Sequence, residues 1–383
     1  MKKIFLTAIA ILTMATTQVF GMYGVDSGWI DFLTHGNQFR ARMQQLGFTL
    51  GNDMIKGTFG FNNNANYGGV YGSLLSTANG GITYDFKPSI SMGLGYTSSL
   101  ISVGVGYNAT IGTGYKDNGK SYNPVAHTPV LVLNALDNAF RMAIPIQVYV
   151  MNDKGADGTK ISINAVSVDS QFRYYTGLDM LPQIRLYLRY GNVSGKAENG
   201  TTIKGLIGES FGFDFRLYFG SMVEEVALQP FVKLVYNGAL GYTGETRVEA
   251  VNFMKTYLDE ANNQQWSATY RAAPKWDLTL MPALGLTANS DIVSLYLEPS
   301  LGLSVKQNGS DTDKKAKEVY SLGYAVYGEI YITPIKNLEW YFEAELGNLG
   351  GTATDSSGTT YTFTKYGLGF NASTGITWYL PAL

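Results

Sequence analysis

The sequence predicts an all-β chain: a transmembrane antiparallel up-and-down β-barrel of about fourteen strands, preceded by a short N-terminal helical segment. Three observations carry this expectation. Segments of strict period-2 alternation recur from residue 54 to the C-terminus, most of them long enough to cross a bilayer. A spanning strand needs about 9–11 residues at its usual tilt, whereas globular strands average about 5–6. The connections alternate long and short, as the external loops and periplasmic turns of outer-membrane barrels do. The composition agrees, with 27 tyrosines, 45 glycines, only 11 prolines and no cysteine.

The chain opens MKKIFLTAIAILTMATTQVFG, with Lys2 and Lys3 as a basic region, an apolar run from Ile4 to Met14, and Val19 and Gly21 before a cleavage point. Residues 1–21 are thus expected to be a secretory signal, too short and wrongly flanked for a spanning helix. Loss of Lys2 and Lys3 takes the formal net charge of −2 to near −4, which offers no footprint for nucleic acid. The absence of cysteine excludes lipoprotein attachment, disulfides and thiolate metal sites.

Residues 22–53 come next, and within them Asp26 to Gly47 places Trp29, Leu33, Phe39, Met43 and Leu46 at roughly helical offsets, interrupted by Gly36. Asp26 or Ser27 would cap a short helix. That segment either plugs the lumen or lies at the periplasmic rim.

The barrel is expected over residues 54–383, with strands near 54–61, 81–97, 100–111, 125–134, 140–151, 161–176, 183–191, 206–219, 225–237, 275–288, 292–305, 319–333, 338–349 and 366–380. In 338–347, Leu338, Trp340, Phe342, Ala344 and Leu346 oppose Glu339, Tyr341, Glu343, Glu345 and Gly347. In 101–112, Gly104, Gly106 and Ala109 match the spacing of a dinucleotide-binding turn, but no helix pattern follows. Those glycines belong to the small face of a strand and are expected to line the interior. The segment 125–134 is ambiguous, because Val130 and Val132 compete in phase with Leu131 and Leu133. Near Ala165 a bulge is expected, since Ile161 and Ile163 fall out of phase with Val166 and Val168.

Long connections are expected at 62–80, 112–124, 152–160, 192–205, 238–274, 306–318 and 350–365, and short turns at 98–99, 135–139, 177–182, 220–224, 289–291 and 334–337. The connection 238–274 is exceptional. It carries Val248, Val251, Met254, Leu258 and Ala261 on one helical face, which needs the pore mouth, other loops or another protein as partner.

No catalytic or metal site is expected, and no cofactor. His35 and His127 are the two histidines, and neither has a recognisable serine–acid context. Asp153–Gly158 and Ser310–Lys314 lack the full spacing of a calcium loop. Charges on the inward phase are more informative. Arg173, Arg185, Arg189, Arg216 and Lys233 fall on strands in the middle of the chain, and Glu298, Glu329, Glu339, Glu343 and Glu345 on later ones. Water in a lumen tolerates such residues, and their segregation would set a field across a pore. The alternative is that cross-lumen pairs seal a packed barrel.

The stretch MYGVDSGWIDFLTHGNQFRARMQQLGFTLGND, with IKGTFGF after it, closely resembles the variable surface proteins (Vsp) of Brachyspira spirochaetes, most specifically over residues 22–61. The resemblance implies an abundant, antigenically variable, surface-exposed outer-membrane protein, and it carries no catalytic residues to transfer. The chain departs from the general barrel pattern by ending WYLPAL rather than in phenylalanine.

Three functions follow as expectations. The first is a porin-like channel, a variable surface antigen, or both. The second is a gated transporter for apolar molecules, with the N-terminal segment as a hatch. The third is a closed-lumen coat protein or adhesin. Expected partners are outer-membrane lipid, small hydrophilic solutes, host molecules or antibodies at the external loops, and further copies in a homo-oligomer.

Overall fold

The computed structural model describes residues 28–42, 45–63, 77–78, 81–82, 88–112, 115–117, 120–122, 124–154, 160–199, 201–223, 226–240, 246–252, 274–309, 318–347, 352–354, 360–362 and 369–383. The signal segment 1–21 and the calcium-like stretch 310–314 lie outside them.

Along the chain run β1 (Gln38–Arg42), β2 (Gln45–Gly51), β3 (Ile55–Asn63), β4 (Pro88–Tyr96), β5 (Ile101–Ile111), β6 (Val125–Ala135), β7 (Phe140–Lys154) and β8 (Lys160–Tyr175). The second half contains β9 (Gln183–Asn199), β10 (Thr201–Tyr218), β11 (Val226–Ala239), β12 (Trp276–Asn289), β13 (Val293–Gln307), β14 (Glu318–Ile335), β15 (Leu338–Gly347) and β16 (Gly369–Tyr379). Each pairs antiparallel with its neighbours in sequence, and β1 closes the ring on β16 from Gln38↔Tyr379 to Arg42↔Gly375. The short strand Ser221–Val223 only prolongs the β10–β11 hairpin, so the barrel has sixteen spanning strands.

Every expected strand is present, but the count of about fourteen and the N-terminal helix are corrected. Two further strands, β1 and β2, come from the segment with helical offsets, and the barrel begins at Gln38 rather than at residue 54. Leu46 and Phe48 are exposed while Gln45 and Thr49 are buried, a period of two that the coincidental helical offsets hid. The closure has a physical cause. In lipid each backbone N–H and C=O needs an internal partner, so the edges of β3 and β16 demand the β1–β2 hairpin between them. Among the described residues there is no α-helix; residues 28–34 form consecutive turns.

Two boundaries also move. β4 starts at Pro88, with Gly81–Ile82 instead in a small hairpin with Thr77–Ala78. The expected loop 192–205 is drawn into the long hairpin of β9 and β10. The rim carrying the short turns also holds Asn37 and the described C-terminal end. Asn37 donates from Nδ2 to the carbonyls of Gly51 (2.9 Å) and Pro381 (2.8 Å), so the WYLPAL end is tied to the first hairpins.

The barrel is inside-out relative to a soluble protein. Leu94 (59%), Val105 (60%), Leu301 (57%) and Leu322 (64%) are exposed, while Arg185 and Glu329 are each 1% exposed. An apolar exterior removed from water by lipid and a polar interior define a membrane barrel. Leu301→Arg, near the middle of β13, is therefore expected to cost about 2–4 kcal/mol of folding free energy at the bilayer midplane. Refolding into vesicles followed by gel mobility would show it, with Leu301→Phe tolerated; equal yields from both variants would mean that this face does not meet lipid.

The expected bulge near Ala165 is absent. β8 keeps one register from Lys160 to Tyr175 with both neighbours, and the irregularity lies instead between Val193 and Ser194 on the β9–β10 pair. Ile163 and Ala165 face inward because something apolar waits for them there.

Candidate functional site

Two segments enter the barrel, and each explains an oddity of the sequence. The first is the turn around Asp31. Trp29, Ile30, Phe32 and Leu33 are buried together with Val130, Val132 and Ala143 of the inner wall. Val130 and Val132 are apolar because they receive this turn, while Leu131 of the same strand is exposed outside. Four inward glycines form its cradle. A Cβ on Gly93 or Gly106 would lie 2.5 or 2.6 Å from the Trp29 ring, one on Gly104 would crowd Phe32, and one on Gly95 would strike Leu33. The glycine at 106 is there for Trp29 and the one at 104 for Phe32 and Leu33, not for a nucleotide.

Polar contacts lock the same turn. Asp31 accepts from Arg141 at 2.8 Å and from Arg173 at 2.7 Å, one guanidinium on each carboxylate oxygen. Lys56 donates to the carbonyls of Leu33 and His35. Burial alone would raise the Asp31 carboxyl, but the Arg173 and Arg141 charges bring it down to about 2. Burial pushes the His35 imidazole down to about 4.

A pH dependence follows. Both folded values lie below the unfolded ones, so each contribution is complete above the unfolded value and is lost as pH falls through the folded one. The insert should loosen first between about pH 6.5 and 4 as His35 takes a proton, then further toward pH 2 as Asp31 does. Acrylamide quenching of Trp29, with the other four of the 5 tryptophans replaced by phenylalanine, would follow it. Constant protection from pH 7 to 3 would contradict the linkage.

The second insert comes from the long β11–β12 connection. Val248 and Ala250 are buried against Ala126, Tyr149, Ile163, Ala165 and Val193, with Val251 packed beside them. Backbone amides of Val248, Ala250 and Val251 donate to Ser210 Oγ (2.7 Å), Ser167 Oγ (2.9 Å) and Gln147 Oε1 (3.3 Å). Gly191 lies so close beneath the Val248 carbonyl that a Cβ there would collide with it. The described part of that face, Val248 and Val251, thus turns inward onto the wall. What forms at Ala250–Asn252 is a single 3₁₀ turn, and Met254, Leu258 and Ala261 lie outside the described residues.

Between the inserts and the far wall run the charges. Cross-strand register aligns Arg141, Arg173, Arg185, Arg216 and Lys233 in one row over β7 to β11. Adjacent like charges repel, and the row persists because carboxylates and rings are interleaved with it. Asp31 holds Arg141 and Arg173; Asp214 holds Arg216 (2.7 Å) and Lys233 (3.6 Å). Arg185 stacks over Tyr218 and Arg216 over Tyr187, within reach of cation–π attraction. Arg189 is engaged by Asp169 at 3.1 Å.

The acidic wall has its own partners. Glu329 accepts from Tyr327 and, at 2.7 Å, from Tyr331; Glu298 accepts from Tyr296 at 2.5 Å. Glu343 lies beside Glu329 in register and binds Arg42 at 2.6 Å. Glu339 accepts from Tyr379 at 3.3 Å, and Glu345 is exposed on the same face as Tyr327 and Glu298. Arg40 and Arg42 of β1 both approach the Tyr341 ring.

All ten charges that the sequence singled out occupy this interior phase. Their charged partners were missed: Asp31, Asp169, Asp214 and Arg42, together with Arg141 and Arg247, which share Asp31 and Asp169 with them. Asp214 was findable, since it shares a strand face with Arg216 two residues on. Arg42 was hidden by the helical offsets of its segment. His127 faces outward, bonded to the Tyr107 hydroxyl, and His35 belongs to the first insert. Among the described residues no group of three metal-ligating side chains occurs.

The model of the Serpulina hyodysenteriae variable surface protein family matches residues 2–379 of the chain. No curated protein matches it. Among solved structures, in-vitro folded OmpT, an outer membrane protein of Vibrio cholerae, is 10% identical, with 90% of this chain and 96% of that one covered at a TM-score of 0.35. Its trimer form is 11% identical, over 90% and 98% of the two chains, at 0.35. The outer membrane channel DcaP of Acinetobacter baumannii is 10% identical, over 90% and 96%, at 0.33.

Proposed function

The chain belongs to the variable surface protein family, as an outer-membrane β-barrel, and from that premise we propose that it is a surface antigen that is also a porin-like, non-enzymatic channel. The observation that carries the channel reading is the pair of opposed charged walls inside a closed barrel. Opposite the row Arg141–Arg173–Arg185–Arg216–Lys233 stand the carboxylates of Glu298 and Glu329, bound by tyrosines, and of Glu343, bound by Arg42. Segregated charge orients ions and dipolar solutes, and it would be wasted in an apolar conduit. In this reading the inserts take up one side of the lumen, and the partly exposed Arg189 and Lys233 belong to the lining that remains.

The antigen role rests on family membership and on the length of the connections between strands at the rim opposite the short turns, the kind of segment through which proteins commonly bind others. One observation favours a second reading: both inserts are held by hydrogen bonds, and one by a buried ion cluster, so a sealed barrel is the competitor. A hatch that leaves readily suits neither Asp31 nor Lys56.

Planar-bilayer recording of the refolded protein separates these. Lys233 is the test residue, because its side chain retains 22% exposure whereas Arg185 is buried. Lys233→Glu is expected to shift selectivity toward cations, and the shift should shrink at 1 M salt, where the Debye length is about 3 Å. Folded protein without conductance would discard the channel and leave the antigen role alone.

A further inference from the structure

The hairpins of the short-turn rim depart from ordinary turn chemistry, which favours glycine, proline and small polar residues. Six of them carry a bare aliphatic side chain: Met54, Leu100, Leu136, Met180, Ile292 and Ile335 are each between 55% and 80% exposed. Five of the six adjoin an exposed charged residue in sequence, namely Asp53, Asp137, Asp179, Asp291 and Lys336. These turns are two-toned, aliphatic at one position and ionic at the next. Leu136 stands there against its own backbone preference. Its φ of 55° is left-handed, a region that asparagine or glycine enters far more readily than leucine. Packing offers no compensation, because the side chain is exposed.

The backbone at this rim is paired from hairpin to hairpin. The carbonyls of Met54, Met180 and Ile292 accept from the amides of Thr97 (2.7 Å), Gly220 (3.4 Å) and Thr333 (2.8 Å), each on the next hairpin. Asn337 accepts from Tyr379 at 2.8 Å, and Gly51 from Leu383 at 3.2 Å. Within the turns, Asn52 Oδ1 takes the amides of Met54 and Ile55, and the hydroxyls of Ser98 and Ser290 take those of Ile101 and Val293. Water would satisfy such groups at a solvated turn, whereas in lipid they must be met within the protein. The apolar exterior also runs into the ring without a break. Ile55, Ile101 and Val293, the first residues of β3, β5 and β13, are exposed directly beside Met54, Leu100 and Ile292.

We infer that the short-turn rim is a lipid-binding surface. Its ring of aliphatic side chains lies in the boundary between headgroups and acyl chains, and the neighbouring charges face the water beyond. The partner is a phospholipid surface rather than a soluble protein, because the ring continues the face that lipid already covers and its backbone is closed as lipid requires. Burial of that apolar area strengthens the hold of the barrel on its leaflet. It also gives Leu136 the favourable surroundings that the interior of the protein does not. Conduction through the lumen plays no part in this.

Because the chain has no cysteine, Leu100→Cys, Ile292→Cys, Asp137→Cys and Asp291→Cys can each carry a single environment-sensitive fluorophore. The full-length variants are refolded into phosphatidylcholine vesicles that contain either a lipid with a nitroxide near the top of its acyl chain or iodide on both sides. Labels at 100 and 292 are expected to be quenched severalfold more by the nitroxide than by iodide, and labels at 137 and 291 the reverse. Without labels, Leu100→Ser/Ile292→Ser should lower the urea midpoint in the same vesicles, although exchanging a side chain that stands in water is nearly neutral. Iodide quenching at all four positions, or an unchanged midpoint, would overturn the lipid assignment and leave the ring to a soluble partner. Protection from both quenchers that fades as the protein is diluted in lipid would overturn it in favour of contact between copies of the chain.

Discussion

Asp31→Asn is expected to be among the most damaging single changes in this chain. It leaves Arg141 and Arg173 with no counter-charge at the carboxylate that now takes one guanidinium on each oxygen. Removing one partner of a buried ion pair typically costs about 3–5 kcal/mol, because the remaining charge stays in a low dielectric. Here two cations that are neighbours in register lose their shared anion, so repulsion adds to desolvation. The turn carrying Trp29 and Leu33 should leave its glycine cradle. Three readouts follow it: refolding yield, the urea midpoint by gel mobility, and quenching of Trp29. Asp31→Glu keeps the charge and should recover part of the loss. If Asp31→Asn folds with an unchanged midpoint and a protected Trp29, the ion cluster does not hold the insert.

Gly191→Val acts on the second insert and should change conduction more than stability. The added side chain collides with the Val248 carbonyl, a backbone atom that cannot swing aside. Displacement of residues 246–252 breaks three amide contacts and uncovers Ile163 and Ala165, while the ladder of β9 with its neighbours keeps its backbone bonds. Single-channel conductance should rise severalfold. The chain has no cysteine, so Ala250→Cys introduces one thiol whose labelling by a polar maleimide reports the same event. Labelling should be slow in the otherwise native protein and fast with Gly191→Val. Equal labelling and equal conductance would mean that the insert is not seated on the wall.

Barrel architecture was legible in the sequence because lipid and water impose it residue by residue. A strand between an apolar exterior and a wet interior must alternate, and the connections must differ between the two rims. That is why β3 to β16 could be placed from pattern alone, and why Arg173, Arg185, Arg189, Arg216, Lys233 and the five glutamates could be assigned to the inner phase. The family likewise showed itself in the stretch 22–61.

What only the tertiary structure decided lies where alternation is overridden by a contact from far along the chain. Val130 and Val132 break the polar inner face because a turn 100 residues earlier packs on them. Ile163 and Ala165 mimic a bulge because Val248 and Ala250 do the same. β1 and β2 were concealed by accidental helical offsets, and their necessity is a property of ring closure: an unpaired edge in lipid is forbidden, but no local residue announces which segment will cover it. The partners of the charged row, Asp31 above all, lie beyond any sequence window, since a carboxylate in a turn meets arginines 110 and 142 residues away only once the barrel has closed.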